Sequence, residues 1–191
     1  MKRFFFIWVA SLLVLTSCVI GDGDIVRQER RVRDFNSISL EDVGDVHIRT
    51  GESYKVVVTT DDNLQNYVLT ETKNNVLYIK VKSKKRIVRT KFKVDVCLPE
   101  LHNLNLSGVG DVIIAEGSAA ALTISLSGVG DIDARNYRLE NVTVKHSGVG
   151  DVKIWVTESL SGTLSGVGDI RYKGNPTVSV KVSGVGKVSQ M

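Results

Sequence analysis

The 191-residue sequence predicts an all-β fold, a right-handed parallel β-helix with coils of about 18–20 residues and a less regular N-terminal half. The first observation behind this is a repeat. Ser-Gly-Val-Gly-Asp-Val at Ser107–Val112 returns as Ser127–Ile132, Ser147–Val152 and Ser165–Ile170, and then as Ser183–Val188 with Lys187 in the aspartate position. A fixed period near twenty marks stacked structural repeats. The second is parity. Leu104, Leu106, Val112 and Ile114 share one parity, as do Ile124, Leu126, Ile132 and Ala134, then Val142, Val144, Val152 and Ile154, and finally Val178, Val180, Val182 and Val188. Period-two alternation of this kind reads as half-buried strand. The opposite parity carries Ser107, Asp111, Ser127, Asp131, Lys145, Asp151 and Lys153, which should face water. The third is the paired glycines, Gly108 and Gly110, Gly128 and Gly130, Gly148 and Gly150, Gly166 and Gly168, Gly184 and Gly186. Two glycines two apart inside a strand pattern mark a corner of the chain. Right-handed crossover is the general rule for parallel strands.

The chain opens with Met1–Ser17, in which Lys2 and Arg3 precede the apolar run Phe4–Leu15. That run is too short for a comfortable membrane span and reads as a signal peptide. Leu15-Thr16-Ser17-Cys18 follows at once and resembles the bacterial lipoprotein signal, which implies that Cys18 becomes a diacylated N-terminus. Lipid chains there would anchor the protein stably to a membrane. Val19, where aspartate would favour inner-membrane retention, points to the outer membrane by the same resemblance, facing the periplasm or the cell surface. Residues 18–29 read as the lipidated N-terminus and tether, with Gly21–Gln28 as the flexible part, and 30–191 as one domain. Ser37–Leu40, Val46–Thr50, Lys55–Thr60, Val68–Thr72, Val76–Val81 and Lys91–Leu98 read as strands, and Asp61–Gln65 as a helical turn. Asn74-Asn75 is a turn, and Pro99 and Pro176 lie between strands.

Arg33-Asp34-Phe35-Asn36-Ser37-Ile38, Gly44-Asp45-Val46, Gly51-Glu52, Asp61-Asp62-Asn63-Leu64 and Leu98-Pro99-Glu100-Leu101, together with the repeats, resemble the head GIN domain family of auto-transporter adhesins. The resemblance spans about residues 30–188 and implies a β-helix and an adhesive role, but brings no catalytic or binding residues. Glu41-Asp42-Val43-Gly44-Asp45-Val46 is a degenerate upstream copy that lacks the first glycine, so its corner should be built differently.

The strongest charge feature lies between Lys80 and Lys93, which includes Lys82, Lys84, Lys85, Arg86, Arg89 and Lys91 and no acidic residue. Such a run attracts anionic lipid or polysaccharide, or discourages edge pairing. No aromatics interleave it to stack bases, so nucleic acid is not the expected partner. The aspartates Asp111, Asp131, Asp151 and Asp169 come once per coil, not every nine residues as in calcium-binding rolls, so no metal or other cofactor is expected. The Gly-Val-Gly triplets are followed by neither Gly-Lys-Ser/Thr nor a helix that would hold phosphate. His47, His102 and His146 are scattered, and His146 takes the inward parity of a core residue. Cys97 leaves no disulfide partner inside the domain and reads as an ordinary strand residue. The sequence therefore implies a lipid-anchored envelope protein without catalytic residues, an adhesion or binding module. The alternatives are a polysaccharide-acting enzyme, which needs paired carboxylates in a groove, and a purely structural envelope component.

Overall fold

The computed structural model describes residues 18–82, 86–88 and 91–191. The segment read as a signal peptide, and Lys84, Lys85 and Arg89 of the basic run, lie outside them. The strands are β1 (Cys18–Ile20), β2 (Ile25–Arg30), β3 (Ser37–Leu40), β4 (Asp45–Thr50), β5 (Lys55–Asp61), β6 (Val68–Lys73), β7 (Val76–Val81), β8 (Arg86–Val88) and β9 (Lys93–Leu98). They continue with β10 (Asn103–Leu106), β11 (Val112–Ile114), β12 (Gly117–Leu126), β13 (Ile132–His146), β14 (Val152–Leu164), β15 (Ile170–Lys173), β16 (Thr177–Val182) and β17 (Val188–Gln190). A short 3-10 helix, Asp62–Tyr67, separates β5 from β6.

β1 and β8 pair with each other, and the remaining strands form one sheet. Its path runs β2-β5-β9-β4-β11-β13 and returns through β12-β10-β3-β7-β6, with β14, β15, β16 and β17 added beyond β13. Because β13 belongs to both arms, the sheet turns back around a single apolar core and forms a nearly closed, barrel-like wall.

This corrects the expected right-handed parallel β-helix: the fold is all-β, but the sheet is mixed. β2–β5, β5–β9 and β6–β7 are antiparallel. The physical reason lies in the connections. Asn74 and Asn75 both take positive φ, 50° and 62°, as a two-residue hairpin turn requires. A loop that short can join only antiparallel neighbours, whereas parallel strands need a long crossover. The near-twenty period begins only at Leu104, and it does not govern the strands before it. The tether is also shorter than expected, since Ile25–Arg30 is strand β2 along the edge of β5.

Within the repeats the neighbouring copies lie parallel and in register. Leu40, Leu106, Leu126, His146, Leu164 and Val182 form one row across the sheet. Val46, Val112, Ile132, Val152, Ile170 and Val188 form another. The upstream copy stacks directly on the second although 66 residues separate them, as Asn103 pairs with Ser37 and Val112 with Val46. The intervening chain is laid outside the first copy, β7 against β3 and β9 against β4. Inward-parity residues of the first copies are fully buried, each aliphatic contributing about 1.5–3 kcal/mol. The last copy departs from expectation: Val178 and Val182 remain 39% and 43% exposed, since β16 pairs only with β14.

Candidate functional site

The Gly-Val-Gly corners stack into a continuous ridge. Val43, Val109, Val129, Val149, Val167 and Val185 bridge one another in parallel order. From Val109 onward the backbone of each central valine bonds twice to the corner of the preceding copy: the Val129 amide donates to the Gly108 carbonyl, 2.9 Å, and its carbonyl accepts from the Gly110 amide, 3.0 Å. The side chain is thereby turned to solvent, 48% exposed at Val129 and 71% at Val185. A shallow trough runs beside the row, lined on its other side by Ser107, Ser127 and Ser147.

The two glycines of each corner serve different ends. Gly130, like its counterparts in the other copies, holds φ of 142°, a region that side-chain-bearing residues rarely enter. Gly128 has ordinary φ but no room: a Cβ there would overlap the Gly108 carbonyl of the copy beside it. The upstream copy places Asp42 where the others have this first glycine. On that side its neighbour is the end of β7, and the Asp42 carboxylate accepts a bond from the Val81 amide, 2.7 Å. The first corner is thus built differently because it faces a different strand.

The aspartates form a relay. Oδ1 of Asp45 accepts from the amide of Asp111, Asp111 from Asp131, Asp131 from Asp151, Asp151 from Asp169, and Asp169 from Lys187, at 2.8–3.1 Å. Each carboxylate caps the corner of the next copy rather than its own turn. Lys153 pairs with Asp131 at 3.4 Å, and Arg171 pairs with Asp151 and Asp169 at 3.4 and 3.1 Å. The Arg171 guanidinium and then the Lys187 amide hold the Asp169 carboxyl below its ordinary range. The Arg135 side chain does the same for Asp133. Among the described residues no group of three or more His, Cys, Asp or Glu side chains could hold a metal ion.

The other sequence-predicted residues are dispersed. Lys82 and Lys91 are exposed, and Arg86 lies on β8, in register with Cys18 on β1. Cys97 is a free, buried thiol on β9. His146 is buried, its Nε2–H donating to the Gly150 carbonyl at 2.6 Å while Nδ1 has no partner. His102 pairs with Glu100 on the surface, 3.1 Å apart. These two sit in a groove of about 550 Å³, together with Asn103, Tyr137 and Asn141. Glu100 is its single carboxylate, so the pair required for glycoside hydrolysis does not meet there. The valine row itself is absent from the sequence-based expectation. Its signal was present, since Val109 has the same parity as Ser107 and Asp111, the water-facing positions.

A family model described as putative auto-transporter adhesin, head GIN domain, matches residues 34–116 and again 107–176. A crystal structure of a putative adhesin from Bacteroides fragilis is 24% identical and superposes with a TM-score of 0.61, over 91% of this chain and 100% of that one. A putative adhesin from Parabacteroides distasonis (22% identical, TM-score 0.43) and a putative lipid binding protein from the same species (19%, 0.49) are each matched over 92% of this chain and 100% of theirs. The Bacteroides structure supports a shared fold; the other two likenesses carry no further argument. No curated protein matches the chain.

Proposed function

The chain belongs to the head GIN domain family of putative auto-transporter adhesins, and from that membership we propose a non-enzymatic binding module of the cell envelope, held to a membrane by lipid on Cys18 and contacting its partner through the corner ridge. The observation that carries this is the row of six valines, each about half exposed or more. Five steps at the ordinary strand spacing make it about 24 Å long. A contiguous exposed apolar strip on a soluble face signals an interaction surface. A rigid sheet fixes its shape before contact, so little ordering entropy is lost on binding.

The anchor reading has support of its own. The backbone of Cys18 pairs with Arg86 of the basic segment, and Ile20 accepts a bond from the Asn63 side chain, 2.9 Å. A lipid on Cys18 would thus lie beside Arg86, and a lipid chain plus a polybasic patch holds a membrane better than either alone.

Beads coated with the domain test the ridge. Val129→Ser with Val149→Ser should abolish most adhesion to whole cells while leaving the melting temperature near that of the parent; undiminished adhesion overturns the ridge as contact surface. For the anchor, Cys18→Ala should block incorporation of radiolabelled palmitate, and equal labelling refutes it. Replacing Lys84, Lys85 and Arg86 with serine should weaken binding to anionic vesicles, and that binding should fall with salt.

A further inference from the structure

A second surface lies away from the corners, on the outer face of β4, β9 and β5. Arg49, Cys97 and Lys55 are cross-strand neighbours in a single row. Two strand spacings place the backbones of the two cations about 10 Å apart. The small, buried Cys97 between them forms the floor of a slot of about 440 Å³, whose lining also includes Val57 and Ala115. Next to this row stand His47 and Asp95, then Lys93, with Arg27 reaching in from β2.

The charges do not balance. Four Lys and Arg side chains line the slot against one carboxylate, Asp95. Asp95 is already held by Lys93 at 2.8 Å and Arg27 at 3.7 Å. Lys55 has Glu29 at 3.6 Å on the rim, both at least half exposed, a pair of little strength. Arg49 and His47 have no side-chain hydrogen bond or ion pair among the described residues. A recess with surplus charge of one sign and low-dielectric walls concentrates the opposite sign within it.

We propose that this slot binds the acidic groups of a glycan chain, a uronate carboxylate or a sulfate, between Arg49 and Lys55. Arginine and lysine on the two strands that flank β9 offer charge-assisted hydrogen bonds to such an oxyanion. The apolar floor suits the C–H face of a sugar ring. No Phe, Tyr or Trp side chain lines the slot, so stacked nucleobases lack a broad ring platform. Its recessed floor admits a single chain, whereas a flat bilayer would touch only the rim. The inference goes beyond the adhesive ridge and does not rest on it: a ridge variant should leave this binding intact, and a slot variant should leave the ridge intact.

Calorimetric titration of the full domain with a sulfated, uronate-containing tetrasaccharide tests the slot, with maltotetraose and phosphatidylglycerol vesicles as comparisons. The charged tetrasaccharide should bind saturably and the neutral one should not. Arg49→Ser and Lys55→Ser should each weaken binding about tenfold, the scale of one charge-assisted hydrogen bond, while Lys181→Ser on β16 leaves it unchanged. On the unaltered protein, inorganic sulfate should compete better than chloride at matched ionic strength. Absence of binding, equal binding of the neutral sugar, variants as tight as the parent, sulfate no better than chloride, or binding to vesicles alone would each overturn the assignment.

Discussion

The two ends of the repeat stack are finished in opposite ways. At the first copy the chain folds a hairpin and a helical turn over the core: β7 lies against β3, and Leu64 of the 3-10 helix is fully buried. Asp42 takes the place of a glycine and binds the neighbouring strand. At the last copy β16 and β17 each have one partner, and valines of inward parity stand partly in water. The difference teaches that the repeat is not self-sufficient. A copy buries its apolar row only when another element lies on each side, and the long insert between the first two copies supplies that cover at one end.

The comparison breaks most sharply at the first glycine of a corner. Gly128→Ala drives a methyl into the Gly108 carbonyl and should cost more than about 4 kcal/mol, unfolding the domain or parting the copies. The matching change in the first copy, Asp42→Gly, loses one hydrogen bond and should cost about 1 kcal/mol by urea denaturation. Equal costs would mean that the two corners are not built on different neighbours. Next in size, Leu64→Ala should cost about 2–5 kcal/mol as a cavity in the cap. Val182→Ala at the open end should cost under about 1 kcal/mol, because its side chain is already 43% exposed.

Smaller effects probe the relay. Asp151→Ala strands the Asp169 amide and should cost about 1–2 kcal/mol, whereas Asp151→Asn keeps an acceptor and should cost less. Millimolar calcium should not raise the melting temperature above that in EDTA; a rise of several degrees abolished by Asp151→Asn would make the relay a metal site. Least of all, the depressed Asp169 carboxyl makes stability pH-dependent. Its contribution is complete above the unfolded-state value of about pH 3.9 and is lost as pH falls through the lower folded-state value. Asp169→Asn should therefore lower stability slightly at neutral pH, leave it unchanged below the folded-state value, and so flatten the acid limb of the stability profile.

Much of the local structure was legible. Val76–Val81 is a strand with the bounds that its alternation implies, and Asn74-Asn75 is the turn before it. The buried parity of Leu104, Leu106, Val112 and Ile114 follows from the sequence alone. The global class was not legible, because a period says which residues stack and not how the rest of the chain closes the ends. That information sits in pairings such as Lys55 with Cys97, 42 positions apart, which no local pattern encodes. The charged slot was hidden for the same reason: Arg49 and Lys55 are ordinary surface residues until β9 is threaded between their strands. The relay was half visible, since the aspartates were evident but their acceptance of the next copy's amide depends on three-dimensional offset.

That relay also has a sense. Every aspartate lends an acceptor forward, and Lys187, which has only donors on its side chain, ends the sequence of loans. A copy spliced between Gly150 and Ser165 would find an acceptor behind it and offer one ahead. The same copy set beyond Lys187 would leave its corner amide unanswered. The array can therefore be lengthened from within but not extended from its far edge, and a single side chain acts as the terminator. For engineering, the span of the ridge becomes a quantity to be dialled in whole units, one strand spacing at a time.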